Sequence, residues 1–172
     1  LIENVVIDHL KPIIAKLKEI NLTIEENDNG IRVFNESQKQ YKGIDIKTMP
    51  YPGFPTDMQA PFMSLLSLVQ GSSIVTETIF ENRFMHIGEL KRMGADIKID
   101  SRSAGIDGVK KLMGAQVKAT DLRAGAALIL AGLCADGITE ISEIHHIKRG
   151  YYNLEDKLRN LGAKIKTIKV DH

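Results

Sequence analysis

Phe54-Pro55-Thr56-Asp57-Met58-Gln59 is echoed downstream by Ala119-Thr120-Asp121-Leu122-Arg123, and in both copies a Thr-Asp pair stands at the head of an apolar helix. The chain repeats itself. An internal period of this kind decides the fold, because equivalent residues then fall at equivalent places in stacked or ringed units.

Outward from Asp57, Ile44 to Thr48 reads as a strand, Asp57 to Gln70 as a helix ended by Gly71, and Ser73 to Ile79 as a strand. A second helix is expected from Glu81 to Met93, stopped by Gly94 where a left-handed residue is wanted, then strands Asp96 to Asp100 and Gly105 to Lys110. The order is βαβαββ. In the second copy Gln116 to Ala119 is the leading strand, Asp121 to Asp136 a helix ended by Gly137, Thr139 to Ile144 a strand, and Tyr151 to Leu161 a helix closed by Gly162. Leu158-Arg159-Asn160-Leu161-Gly162-Ala163 matches Leu90-Lys91-Arg92-Met93-Gly94-Ala95 in residue class. Leu17-Lys18-Glu19-Ile20-Asn21-Leu22 repeats the same helix end with Asn21 in the glycine place, after a helix expected to begin near Asp8 with Pro12 close to its first turn.

The expectation is therefore an α/β (α+β) chain of a partial unit 1–43, a unit 44–115 and a unit 116–172, a piece of a longer polypeptide. With 172 residues, 43% of them hydrophobic, it buries one core. Its 23 basic and 22 acidic residues, net charge +1, argue against a general polyanion or nucleic-acid binder, as does the absence of Trp from a stacking platform. No leader and no run of about 18 apolar residues suggests a membrane partner, so a cytoplasmic site is expected. Cys134, alone in the chain and on the apolar run from Ala126, reads as a small buried core residue. His86, His145 and His146 lack ligand spacing, so neither metal nor cofactor is expected.

Asp57 and Asp121 each follow a threonine at a helix start, and judged on spacing alone each reads first as a cap, where free N–H groups and the helix dipole favour a carboxylate. The repeat also sets an arginine at or just before each unit's second helix, Arg83 and Arg149. Helix starts facing one end would gather Asp57, Arg83, Asp121, Arg123 and Arg149 at one rim. Such a rim suits a small dianionic ligand, since guanidinium forks and helix N-termini both bind carboxylate and phosphate. The competing reading is a set of solvated ion pairs.

Tyr51 to Ala60, Glu77 to His86, Ala119 to Ala124 and His146 to Tyr151 together resemble, in order, the carboxyl-terminal half of the bacterial UDP-N-acetylglucosamine 1-carboxyvinyltransferases, within the enolpyruvyl transferase family. The resemblance covers nearly the whole chain. It implies an inside-out α/β barrel domain of βαβαββ units, one of two similar domains flanking a ligand cleft. It also implies transfer of the enolpyruvyl group of phosphoenolpyruvate to the 3-hydroxyl of UDP-N-acetylglucosamine with release of phosphate, the first committed step of peptidoglycan synthesis. Both compounds are then substrates, and the missing companion domain is a partner.

By resemblance, Asp57 is the aspartate that meets the sugar hydroxyl and is proposed to take its proton, and Ile79 touches the nucleotide sugar through its backbone. Arg149 holds phosphoenolpyruvate, Asp121 is the second active-site aspartate, and Arg83 and Arg123 line the cleft. Pro61 departs from the family's usual residue, so the geometry beside Asp57 is expected to differ slightly. The loop cysteine and the lysine that the reaction needs lie outside these motifs, so the isolated chain is expected to be inactive. Two other readings stand beside this one: a transferase of the 5-enolpyruvylshikimate 3-phosphate type, and a non-catalytic binding module.

Overall fold

The computed structural model describes residues 1–27, 30–34, 36 and 39–169. The chain opens with β1 (Ile2–Glu3), α1 (Ile7–Glu19), β2 (Thr23–Asn27) and β3 (Gly30–Phe34). It continues with β4 (Ile46–Lys47), a 3-10 turn (Thr56–Met58), α2 (Gln59–Leu66), β5 (Ser72–Thr76), α3 (Ile87–Arg92), β6 (Asp96–Asp100) and β7 (Ser103–Asp107). Last come β8 (Gln116–Lys118), α4 (Leu122–Cys134), β9 (Glu140–Ser142), α5 (His145–Gly150) and α6 (Leu154–Asn160). Between residues 44 and 115 the order is βαβαββ, as expected.

The repeat is visible in the backbone. Asn21, Gly94 and Gly162 all take left-handed φ values, 82°, 95° and 93°. Behind each, the next N–H reaches five residues back: Leu22 to Leu17 at 3.0 Å, Ala95 to Leu90 at 3.1 Å and Ala163 to Leu158 at 3.0 Å. This is the helix stop that glycine or asparagine supplies without a Cβ clash. Gly71 and Gly137 form a second matched pair, with φ 96° and 95°.

The sheets follow the same plan. One has the order β1-β3-β2 and another β4-β5-β7-β6, with β4 and β5 parallel and β5, β7 and β6 antiparallel. β8 and β9 repeat the parallel pairing of β4 and β5. Each parallel pair is joined through an apolar helix, α2 or α4, as a parallel connection requires. On β5 and the residue after its end, Ser73, Val75 and Glu77 turn inward and are buried, while Ser72 and Ile74 face out.

α2 and α4 lie inside. α2 buries Gln59, Ala60, Pro61, Phe62, Met63, Ser64 and Leu66, so it is covered on every side and carries no charge. α4 buries the run Ala124 to Ile129 and Ala131. A helix apolar all round belongs in a core. Small residues let these two approach closely, and the Ser64 hydroxyl donates to the Ala127 carbonyl at 2.8 Å. Met63, Leu66, Leu90, Met93 and Leu128 are fully buried around them.

Several elements are shorter than expected, and the reasons are local. The expected helix Asp57–Gln70 is a 3-10 turn plus α2, because the Ser67 hydroxyl bonds back to Met63 and the Ser67 carbonyl accepts from Val109 instead of continuing the helix. The helix expected from Glu81 begins only at Ile87, since Asn82 takes φ 56° and residues 83–86 form a turn. Gly105–Lys110 is displaced to β7, whose pairing with β6 is set by the tight turn at Ser101, φ 54°. Tyr151–Leu161 shortens to α6 behind a left-handed Asn153, φ 48°, and is preceded by the unexpected α5. The flanking strands also contract: Ile44–Thr48 to β4, Ser73–Ile79 to β5, Gln116–Ala119 to β8 and Thr139–Ile144 to β9, and the expected helix Asp121–Asp136 runs only to Cys134. Cys134 is exposed, not buried. Leu130 and Leu133 are also exposed, and the spacing of the three puts them on one outward stripe of an otherwise buried helix.

Candidate active site

α2 and α4 run side by side in the same direction. Their starts meet at Asp57 and Arg123, and one to two turns further along they meet again at Ser64 and Ala127. Two helix N-termini therefore point at the same place. Arg123 Nε donates to Asp57 Oδ1 at 2.5 Å, across 66 residues of sequence. The Asp57 side chain is still 66% exposed and Arg123 31% exposed, so the pair is open on one side.

The two aspartates do different work. Asp121 is the N-cap of α4 and accepts from the backbone N–H of Arg123 at 2.7 Å and of Ala124 at 3.0 Å. Asp57 lies in the middle of the 3-10 turn, where no side-chain cap bond forms. The capping reading therefore accounts for Asp121 and not for Asp57, whose carboxylate is committed to Arg123. Pro61 is the third residue of α2, within the first turn where N–H groups have no helical partner, so it costs the helix little.

Arg149, unlike Arg83, is not where helix-start reasoning put it. Arg83 lies in the turn ahead of α3, its guanidinium 4.1 Å from the centre of the Phe80 ring, a cation–π contact. Arg149 is in the last turn of α5, a helix C-terminus. Its neighbour Gly150 packs so tightly on Leu122 that a Cβ would lie 2.6 Å from a Leu122 methyl. The end of α5 therefore abuts the start of α4. Next along the chain, burial and then the Asp57 carboxylate push the Tyr151 phenol upward, with Arg123 opposing, so Tyr151 shares the field of the pair.

Beneath the rim is a residue that the sequence reading passed over. Glu77 is 1% exposed, and its carboxylate accepts from four donors. Oε1 takes the Thr48 hydroxyl at 2.9 Å and the N–H groups of Ile79 at 2.8 Å and Phe80 at 3.1 Å; Oε2 takes the Thr56 hydroxyl at 2.8 Å. Burial by itself would push this carboxyl up, but the bonds from Ile79, Thr56, Phe80 and Thr48 outweigh it and hold Glu77 below the usual glutamate value. The Ile79 N–H is thus occupied. His86 is also buried, with Nε2 3.3 Å from Met63 Sδ. Burial lowers its pKa to about 4 against the opposing pull of Asp121 and of the Arg83 backbone, so it is a neutral packing element under the site. The signal for Glu77 was the alternation of β5, which turns position 77 inward after Ser73 and Val75.

Residues 1–158 match the family described as EPSP synthase (3-phosphoshikimate 1-carboxyvinyltransferase). The chain belongs to this family. Among its relatives, the UDP-N-acetylglucosamine 1-carboxyvinyltransferase 1 of Caldanaerobacter subterraneus subsp. tengcongensis is 61% identical over 96% of the chain and 39% of its own length. UDP-N-acetylglucosamine 1-carboxyvinyltransferase 2 of Carboxydothermus hydrogenoformans is 58% identical over 98% of the chain and 40% of its own length. The chain thus spans about two-fifths of these relatives. The crystal structure of the enolpyruvyl transferase NikO from Streptomyces tendae superposes with a TM-score of 0.83 at 28% identity, covering 91% of this chain and 36% of that one. EPSP synthase from Acinetobacter baumannii follows with a TM-score of 0.66 at 18% identity, covering 92% of this chain and 37% of that one, a likeness of fold alone. The expected α/β enolpyruvyl transferase fold is therefore the observed one, and the Asp57–Arg123 rim belongs to an enolpyruvyl transferase chain.

Proposed function

We propose that the chain is the part of a UDP-N-acetylglucosamine enolpyruvyl transferase that presents the sugar's 3-hydroxyl to phosphoenolpyruvate. The observation that carries this reading is the joining of Asp57 and Arg123 at two convergent helix starts, in a chain 61% identical to a carboxyvinyltransferase of that name. In the reaction the 3-hydroxyl oxygen bonds to C2 of the enolpyruvyl group, the hydroxyl proton leaves and phosphate departs. Asp57 accepts the hydroxyl's hydrogen bond. Held by Arg123, Asp57 mainly orients the oxygen and takes its proton late, as the O–C2 bond forms. Ile79 offers its carbonyl to the nucleotide sugar, and Arg149, Arg83 and Arg123 supply positive charge for phosphate and carboxylate.

On this reading residues 1–43, 44–115 and 116–172 are units of one domain, and a companion domain brings the cysteine and lysine that complete turnover. Peptidoglycan synthesis in the cytoplasm, and through it cell shape and division, is the process served. Among the described residues no helix is long and apolar enough to cross a membrane.

Titrating UDP-N-acetylglucosamine into the isotope-labelled chain is expected to shift the amides around Asp57, Ile79 and Asp121 saturably. Shifts with shikimate 3-phosphate in place of the nucleotide sugar would favour the 5-enolpyruvylshikimate 3-phosphate type, and a well-folded sample that responds to neither would favour the non-catalytic module.

A further inference from the structure

We propose that Glu77 is a positioning residue that fixes the distance between the hydroxyl-binding carboxylate, Asp57, and the sugar-facing backbone at Ile79; this rests on the proposed function. Three segments come together at its carboxylate. Thr48 follows β4, Thr56 opens the turn that carries Asp57, and Ile79 and Phe80 begin the loop that leads to Arg83. Thr48 and Thr78 tie the first and third of these together a second time, the Thr78 N–H donating to the Thr48 hydroxyl at 2.9 Å and the Thr78 hydroxyl to the Thr48 carbonyl at 2.5 Å. Among the described residues the Asp57 turn has no such second tie to the Ile79 loop. Its link runs through Thr56 Oγ1 to Glu77 Oε2.

An ionised carboxylate suits this place because it only accepts, and all four groups around it donate. A glutamine offers one acceptor oxygen and an amide that donates, so one of the ties must reverse or break. A ligand spanning Asp57 and Ile79 would then meet two groups no longer held in register, and misplacement of about 1 Å at a reacting centre costs roughly 100-fold in rate.

The test uses the full-length protein that carries this chain. Glu77→Gln is expected to lower kcat/KM for UDP-N-acetylglucosamine by roughly 100-fold while leaving the KM for phosphoenolpyruvate unchanged. Thr56→Val cuts only the link to the Asp57 turn and leaves Glu77 its other donors, so it is expected to reproduce the loss of kcat even if Glu77→Gln folds poorly. Thr56→Ser, which keeps the hydroxyl, is expected to restore it. In an Asp57→Asn background, Thr56→Val is expected to have little further effect, because the residue it positions is already disabled. A Thr56→Val protein with unaltered kcat, or one whose loss is the same with and without Asp57, would overturn the inference. Absence of sugar-dependent turnover in the unsubstituted protein would instead overturn the proposed function. The positioning claim would then be decided by amide exchange at Ile79 and Phe80, which Glu77→Gln must accelerate and which, if unchanged, would sink it.

Discussion

Asp57→Asn in the full-length protein is expected to lower kcat by about 10²- to 10⁴-fold, the usual contribution of a group that handles a proton in the transition state. The fold is expected to survive. Asp57 is largely exposed, lies on a 3-10 turn without a cap bond, and touches the rest of the protein through Arg123. Exposed ion pairs contribute up to about 1 kcal/mol, and asparagine keeps both the size and one accepting oxygen. On the proposed function, what it loses is the charge that orients the sugar hydroxyl and finally receives its proton. Steady-state kinetics alongside thermal unfolding separates the two effects. A kcat within about tenfold of the unsubstituted protein, at unchanged melting temperature, would show that Asp57 is only a surface partner of Arg123, the ion-pair reading that the sequence left open.

Gly108→Ala is expected to destabilise the fold by about 3–5 kcal/mol, at the upper end of single substitutions. A Cβ at this position would lie 1.6 Å from the Val69 carbonyl oxygen, 2.8 Å from its carbon and 3.3 Å from the Gly71 oxygen. All three are backbone atoms, so no side chain can swing aside. The close approach exists because the segment leaving β7 is laced to the stretch that follows α2: the Gly108 N–H donates to the Gly71 carbonyl at 3.0 Å and the Val109 N–H to the Ser67 carbonyl at 2.8 Å. Making room means breaking that lacing where the sheet is held to its buried helix. Since domains of this kind are stable by roughly 5–15 kcal/mol, a large share would go. Gly88→Ala is the contrasting substitution, because nothing lies within 4 Å of its Cβ and it sits in α3, where alanine is preferred. Urea unfolding is expected to show a much lower midpoint for the first and no loss for the second. A shift at Gly108 worth less than about 1 kcal/mol would mean that the two segments part easily.

Residues that force a backbone choice were legible in the sequence. Asn21, Gly94 and Gly162 were readable as helix stops because left-handed φ excludes most other residues, and all three take it. The apolar runs of α2 and α4 announced buried helices, and the Thr-Asp pairs before them marked their starts. Elements set by tertiary contact were not legible. α5 has six residues and no side-chain cap, and it is held against α4 by Ile147, which lies 2.4 Å from where a Gly125 Cβ would be. No local pattern announces such a helix. Cys134 looked buried because the run around it is apolar, yet only one stripe of a helix end faces outward and Cys134 lies on it. At the site, Asp57, Asp121 and Arg123 meet as the repeat implied. Arg149 lies at a helix C-terminus that no local pattern announced, and Glu77 stayed hidden because its four partners come from three separate segments.

The most direct test of the account is phosphate release from phosphoenolpyruvate by the full-length protein that carries this chain, with UDP-N-acetylglucosamine or shikimate 3-phosphate as acceptor. Release that needs UDP-N-acetylglucosamine and ignores shikimate 3-phosphate is the predicted result. Release that follows shikimate 3-phosphate, or none with either acceptor from a folded protein, would contradict it.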